Sequence, residues 1–199
     1  MVMYVFSFII AYLIAAINPA IVISKKVLKQ DIRELGSKNA GTTNAIRTMG
    51  KGVGALVFIL DLLKVVVSYG IILLIGWIFK EQVTPITKSI YMLASVLGHS
   101  YPVYYGFKGG KGVAVFLMSA ILVDAKIAGI RILTGVVVIA ISRMVSLGSI
   151  IGSITLVIID IFMDTNYSFI IALITVAVIV YNHRTNIQRI IAGKENKLF

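Results

Sequence analysis

The 199-residue chain contains no cysteine, which removes thioester chemistry, cysteine metal ligands and disulfides at once. Acids are nearly as scarce, with eight Asp and Glu against nineteen Lys and Arg and a formal net charge of +11. The polar loops that hold most of the basic charge offer only Asp31, Glu34 and Glu195 as carboxylates. Divalent-metal chemistry needs clustered acids, so a metal-dependent phosphatidyltransferase is disfavoured. Histidine occurs twice, and neither copy heads an H-x-x-x-x-D pair: Tyr104 stands five residues after His99, and Gln188 five after His183. The His–Asp dyad of the common acyl-CoA-using acyltransferases is missing. The glycine-rich GFKGGKG at 106–112 is no Walker A loop, because Gly106 and Gly110 are too close and Gly112 stands where a Ser or Thr would meet magnesium. Nucleotide hydrolysis is disfavoured in turn. No basic region precedes the first apolar run, whereas Lys25, Lys26 and Lys29 follow it. That order is the reverse of a cleavable signal peptide and predicts a retained first span with the N-terminus outside.

What is present is lipid-soluble. Hydrophobic residues make up 59% of the chain and charged ones only 14%, whereas soluble domains carry about 25% charged residues. A polytopic, all-α membrane bundle follows, and its positive charge suits the positive-inside rule and anionic headgroups without invoking nucleic acid. Seven spans are predicted: Tyr4–Ser24 with a kink at Pro19, Val53–Phe79, Ile90–Tyr105, Val113–Val123, Ala128–Ile141, Val145–Phe162 and Tyr167–Val180. Two crossings across 113–141, rather than one long helix, return Arg143 and the basic tail to the cytoplasm. A turn outside is expected around Met163–Asn166. Asp61 and Lys64 fall three residues apart on one face of the second span, either as a functional pair or as an intrahelical pair that helps packing. The spans are otherwise read as poor in charge, and no internal repeat of the transporter kind is evident.

Three polar stretches then share the cytoplasmic face: GSKNAGTTNAIR at 36–47, GFKGGKG at 106–112, and the tail 181–197. They offer hydroxyls, amides and cations set among glycines, which is the chemistry of a phosphate site. Arg47 and Lys111, with Lys38 and Lys108 as second choices, are candidates to neutralise a phosphate; Ser37, Asn39 and Asn44 are candidates to hydrogen-bond it or a polyol. His99 and His183 are candidate bases or donors, and equally candidate interfacial packing groups. Ordinary polar turns and a flexible basic connector would use the same residue types.

The blocks D-x-R-x-x-G-S-x-N-x-G at Asp31–Gly41, T-N-x-x-R at Thr43–Arg47, D-x-x-K at Asp61–Lys64, G-H-x-x-P at Gly98–Pro102, F-K-G-G-K-G-V-A at Phe107–Ala114, and N-H-R-x-N-I-x-R with G-x-E at Asn182–Glu195 occur in this order. Together they resemble the PlsY family, bacterial membrane glycerol-3-phosphate acyltransferases that use acyl phosphate. The resemblance covers nearly the whole length and implies one integral membrane acyltransferase domain, 1–199, in the inner (cytoplasmic) membrane with its site on the cytoplasmic side. It implies transfer of a fatty acyl group from a long-chain acyl phosphate to the 1-hydroxyl of sn-glycerol 3-phosphate. The products are lysophosphatidic acid and phosphate, with no cofactor and no metal. The partners implied are those two substrates and membrane lipids.

Carried over by position, the resemblance implies catalytic Ser37, Arg47, Lys111 and His183. The substrate-binding set is Ser37, Lys38, Asn39, Gly41, Thr43, Asn44, Arg47, His99, Lys108, Gly109, Gly110, Lys111, Gly112, Asn182 and His183. Departures from the family pattern are Lys38 for a frequent Gly, Thr42 for Ala, Val65 for Gly, Tyr101 for Phe and Val115 for Thr. The alternative reading is a membrane transporter of phosphorylated solutes, with the basic loops as its vestibule.

Overall fold

The computed structural model describes residues 2–162 and 168–198, and among them every regular element is helical. The connection expected around Met163–Asn166, and the start of the last span at Tyr167, lie outside the described residues. The first apolar run breaks rather than bends: α1 spans Val2–Ala15 and α2 Pro19–Val27. Proline has no N–H to continue the ladder, and Asn18 caps the second helix by accepting the Ile21 N–H at 3.1 Å. A short 3-10 turn at Ile32–Glu34 leads to α3, Thr42–Met49, and then to the long α4, Lys51–Phe79. α5, Pro85–Ser100, starts on a Thr84 cap with proline at its first position. α6 is Val113–Val123 and α7 Ala125–Ser142. They are separate helices because Asp124 is extended and caps α7 through the Ile127 N–H at 3.2 Å. α8 runs Val145–Phe162, α9 Phe169–Asn182 and α10 Arg184–Ile191.

Among the described residues, three stretches are long and apolar enough to cross a membrane: Val2–Val27, Lys51–Phe79 and Ala125–Ser142. A fourth results if α9 and α10, bent by 60°, form one broken span, while Val113–Val123 and Val145–Ile159 are shorter apolar helices. α4 shows how such a helix sits. Gly54, Val57, Asp61, Lys64, Val65, Ser68, Ile72 and Gly76 are buried at helical spacing. Leu56, Ile59, Leu63, Val67 and Leu74 stay exposed on the outer face, as lipid contact requires. The main core joins α1, α4, α5, α6, α8 and α9 around Tyr91, Met92, Phe116, Leu156 and Ile179. A second cluster of Ile21, Ile32, Ala40, Ala45 and Val57 lies directly under the first polar loop.

Two contacts between helices are made by polar side chains. α7 carries a cation in its apolar run: Arg131 is fully buried, with its guanidinium 5.8 Å from the centroid of the Phe116 ring. The Tyr101 hydroxyl donates to Asn182 Oδ1 at 2.6 Å and ties the end of α5 to the end of α9.

Candidate active site

The first polar loop is shaped from within by Asn44, a fully buried residue of α3. Its Oδ1 accepts the Ser37 N–H at 2.9 Å, and its Nδ2 donates to the Ile32 and Leu35 carbonyls at 3.2 and 2.9 Å. Gly36 passes so close that a Cβ there would lie 2.4 Å from Asn44 Oδ1, and its φ of +53° is left-handed. The loop is thereby wrapped around one amide, leaving Ser37 and Lys38 exposed. Further along α3, Thr43 and Arg47 are four residues apart and share a face. The glycine loop is tied to this segment by Arg33, whose Nη1 donates to the Tyr105 carbonyl at 2.7 Å and the Lys108 carbonyl at 3.0 Å. The same guanidinium holds Asp31 in a fork at 2.9 and 2.8 Å. Those hydrogen bonds hold the Asp31 carboxyl well below the usual carboxylate range.

The third wall comes from the bend after α9. His183 Nδ1 donates to the Ile179 carbonyl at 2.8 Å, which leaves Nε2 as the acceptor edge. On α10, Asn186 Oδ1 accepts from Lys111 Nζ. Glu195 gathers that wall: it accepts from Asn186 Nδ2 at 2.7 Å, Ser146 Oγ at 2.8 Å and Arg189 Nε at 2.8 Å. Burial pushes the Glu195 carboxyl up, but these hydrogen bonds outweigh it and its pKa lies below the ordinary value. Burial lowers the Lys111 ammonium, helped by Arg189 and Arg47 and opposed by Glu195, to about 8.

These walls enclose a cavity of about 710 Å³. Its lining combines polar residues, among them Ser37, Asn39, Arg47, Lys111, His183 and Asn186, with apolar ones, among them Phe58, Leu117, Ile139 and Val145. Such a lining suits a ligand that carries both a phosphate and a hydrocarbon chain.

A family model described as Glycerol-3-phosphate acyltransferase matches residues 5–193. The chain belongs to the glycerol-3-phosphate acyltransferase family. A Glycerol-3-phosphate acyltransferase of Thermoanaerobacter pseudethanolicus is 42% identical over 96% of this chain and 93% of its own length. One from Clostridioides difficile is 37% identical over 98% and 95% respectively. The chain is also similar to the crystal structure of PlsY, an integral membrane glycerol 3-phosphate acyltransferase, in its glycerol 3-phosphate form. That match has a TM-score of 0.83 and 37% identity over 98% of this chain and 94% of that one. The lysophosphatidic acid form matches with a TM-score of 0.81 and 36% identity.

In this acyltransferase of the PlsY type, Ser37, Lys38, Asn39, Gly41, Thr43, Arg47, His99, Lys111, Gly112 and His183 all line the cavity. Five other candidates do not. Asn44 shapes the loop from behind, and Asn182 accepts the Tyr101 hydroxyl. Lys108 offers its carbonyl to Arg33, while Gly109 and Gly110 donate their N–H groups to the Ser100 and His99 carbonyls at 3.0 and 3.1 Å. Sequence reasoning gave no role to Asn186, Arg189 or Ser146, and it expected an apolar groove for an acyl chain from spans two to seven without naming its residues. Asn186 had a signal, because it follows His183 by three residues and so shares its face of the turn. Glu195 had another, as the one acid in a basic tail. Among the departures, Val65 and Val115 are buried in the core, so the hydroxyl missing at Val115 is not missing from the cavity.

Proposed function

We propose that this glycerol-3-phosphate acyltransferase takes its acyl group from a long-chain acyl phosphate, without a metal ion, in phospholipid biosynthesis. The observation that carries the reading is a single cavity lined both by Arg47 and Lys111 and by apolar residues of α4, α6, α7 and α8. Arg47 and Lys111 bind the phosphate groups, and Ser37 and Asn39 orient the glycerol 3-phosphate. The 1-hydroxyl oxygen attacks the acyl carbonyl carbon. The bond from that carbon to the phosphate oxygen breaks, and phosphate leaves with its electron pair. Cations close to the leaving oxygen stabilise the charge it gains, and holding two anions side by side supplies much of the remaining rate. The hydroxyl proton passes to His183 Nε2, whose lone pair is kept free because Nδ1–H is engaged by Ile179, or to a phosphate oxygen of the acyl donor itself.

The topology that goes with this reading has seven crossings, the N-terminus outside and the C-terminus inside, as one domain in the cytoplasmic membrane. Lys25, Lys26, Lys29, Lys38, Arg47 and Lys51 then share the cytoplasmic side with the glycine loop and the tail. The test is phosphate release by purified protein with palmitoyl phosphate, with and without glycerol 3-phosphate, in the presence of a chelator. Release that depends on glycerol 3-phosphate, with lysophosphatidic acid formed in equal amount, is expected. Turnover with acyl-CoA alone would replace the donor, and turnover only on adding a divalent cation would overturn metal independence.

A further inference from the structure

One buried cluster has no task in that scheme. Asp61 and Lys64 lie one turn apart on α4 and His99 stands near the end of α5, all more than nine-tenths buried. Lys64 Nζ is 2.8 Å from Asp61 Oδ1, 2.8 Å from the Ile17 carbonyl oxygen and 3.1 Å from His99 Nδ1. His99 Nδ1 is also 3.3 Å from Asp61 Oδ1. Ionisable groups at such depth are costly and usually mark function. The Ile17 carbonyl is present because the first span breaks. In an unbroken helix it would accept the Ile21 N–H, but that group is bonded to Asn18 Oδ1 instead. The break thus provides a carbonyl for Lys64.

The cluster fixes one edge of the His99 ring, and the opposite edge meets the glycine loop. A Cβ on Gly110 would lie 2.1 Å from His99 Nε2 and 2.9 Å from the Ala40 carbonyl oxygen. Gly110 is therefore held between the ring and the first polar loop, with room for no side chain. The loop is also hydrogen-bonded onto the end of α5 through Gly109 and Gly110. The next residue is Lys111.

We propose that Asp61, Lys64 and His99 are positioning residues: the buried pair on α4 fixes the His99 ring, and the ring sets the seat of the glycine loop and so the place of the Lys111 ammonium. This rests on the acyltransferase reading of the cavity. A pair that served folding alone would leave substrate affinity untouched once stability was restored, and that difference can be measured.

The experiment uses full-length protein in detergent and reads the thermal midpoint, the KM for glycerol 3-phosphate, and calorimetric binding of glycerol 3-phosphate. Lys64→Met alone takes the ammonium from the buried Asp61 carboxylate, leaves that carboxylate facing the His99 ring, and is expected to lower the midpoint. Adding Asp61→Leu removes the second charge and is expected to bring the midpoint back near wild type. In that double variant the ring has lost its anchor, so KM and Kd for glycerol 3-phosphate stay raised by about tenfold or more. A second route does not depend on the double variant folding. His99→Asn keeps an amide where Nδ1 stands and removes the edge that meets Gly110, so KM rises by about the same factor with the midpoint held. Wild-type KM and Kd in a stable double variant, or in His99→Asn, overturns the proposal. Wild-type protein that neither binds nor acylates glycerol 3-phosphate defeats the acyltransferase reading itself, and the proposal with it.

Discussion

Lys111 is a cation held where water is scarce, and its environment makes its charge sensitive to pH. Burial, then Arg189 and Arg47, bring its pKa to about 8 against Glu195. Free protein therefore holds Lys111 charged below that value and neutral above it. A phosphate needs the charged form, so kcat/KM for glycerol 3-phosphate should be level below pH 8 and fall about tenfold per unit well above it. Lys111→Arg keeps a charge that does not titrate in this range and should move the alkaline limb upward. A limb left in place by Lys111→Arg belongs to another group. Arg47→Ala and Lys111→Ala should each abolish turnover with little loss of thermal midpoint, since Arg47 is exposed and Lys111 gains from shedding its burial. Asn44→Ala is the contrasting case. It strands the Ser37 N–H and the Ile32 and Leu35 carbonyls, each worth about 1–3 kcal/mol when left unsatisfied. Both midpoint and activity should fall together. Activity lost at an unchanged midpoint would place Asn44 on the substrate instead.

At the scale of elements, the site is a junction of three chain breaks: the loop before α3, the loop before α6 and the bend before α10. Gly110→Ala tests that junction, because its methyl has no place between the His99 ring and the Ala40 carbonyl. Expected is a loss of kcat/KM of about a hundredfold, the scale of a small misplacement of reacting groups, while Gly106→Ala, which meets nothing within 4 Å, acts only through its φ of +66°. Equal activity in Gly110→Ala and wild type would show that the loop moves freely. The division of 113–141 into two helices is legible because Asp124 interrupts the apolar run and caps α7. The break at Pro19 is legible only as a kink. α5 starts at Pro85, five residues before the predicted Ile90, because the Thr84 cap and the proline are local signals that apolar patterning does not weigh. The cavity's polar residues were legible as donors but not as partners. Asn44 and Asn182 look like Ser37 and Asn39 in sequence, and only packing decides which amides turn inward to satisfy the backbone. Arg131 stands in an apolar run that masks it in sequence, and the Phe116 ring beside it comes from another helix.

For the whole molecule, charge and missing chemistry meet in one experiment. Loops 25–51, 106–112 and 181–197 carry most of the basic residues, and the cavity joins elements from all three. The proposed topology puts that face in the cytoplasm and the Lys80–Lys88 connection outside. A chain with no cysteine needs no background removed before single thiols are introduced. Lys29→Cys, Lys108→Cys and Lys194→Cys should resist a membrane-impermeant maleimide in intact cells and react after permeabilisation, because all three positions are exposed and on the site face. Lys80→Cys, exposed after α4, should react without permeabilisation. The decisive pair is Lys126→Cys, in the first turn of α7, and Arg143→Cys, after α7. Two crossings across 113–141 require the first to label from outside and the second only from inside. Labelling of both from inside would make α6 a helix that dips into the membrane without crossing it, and would place α7 elsewhere than across the bilayer.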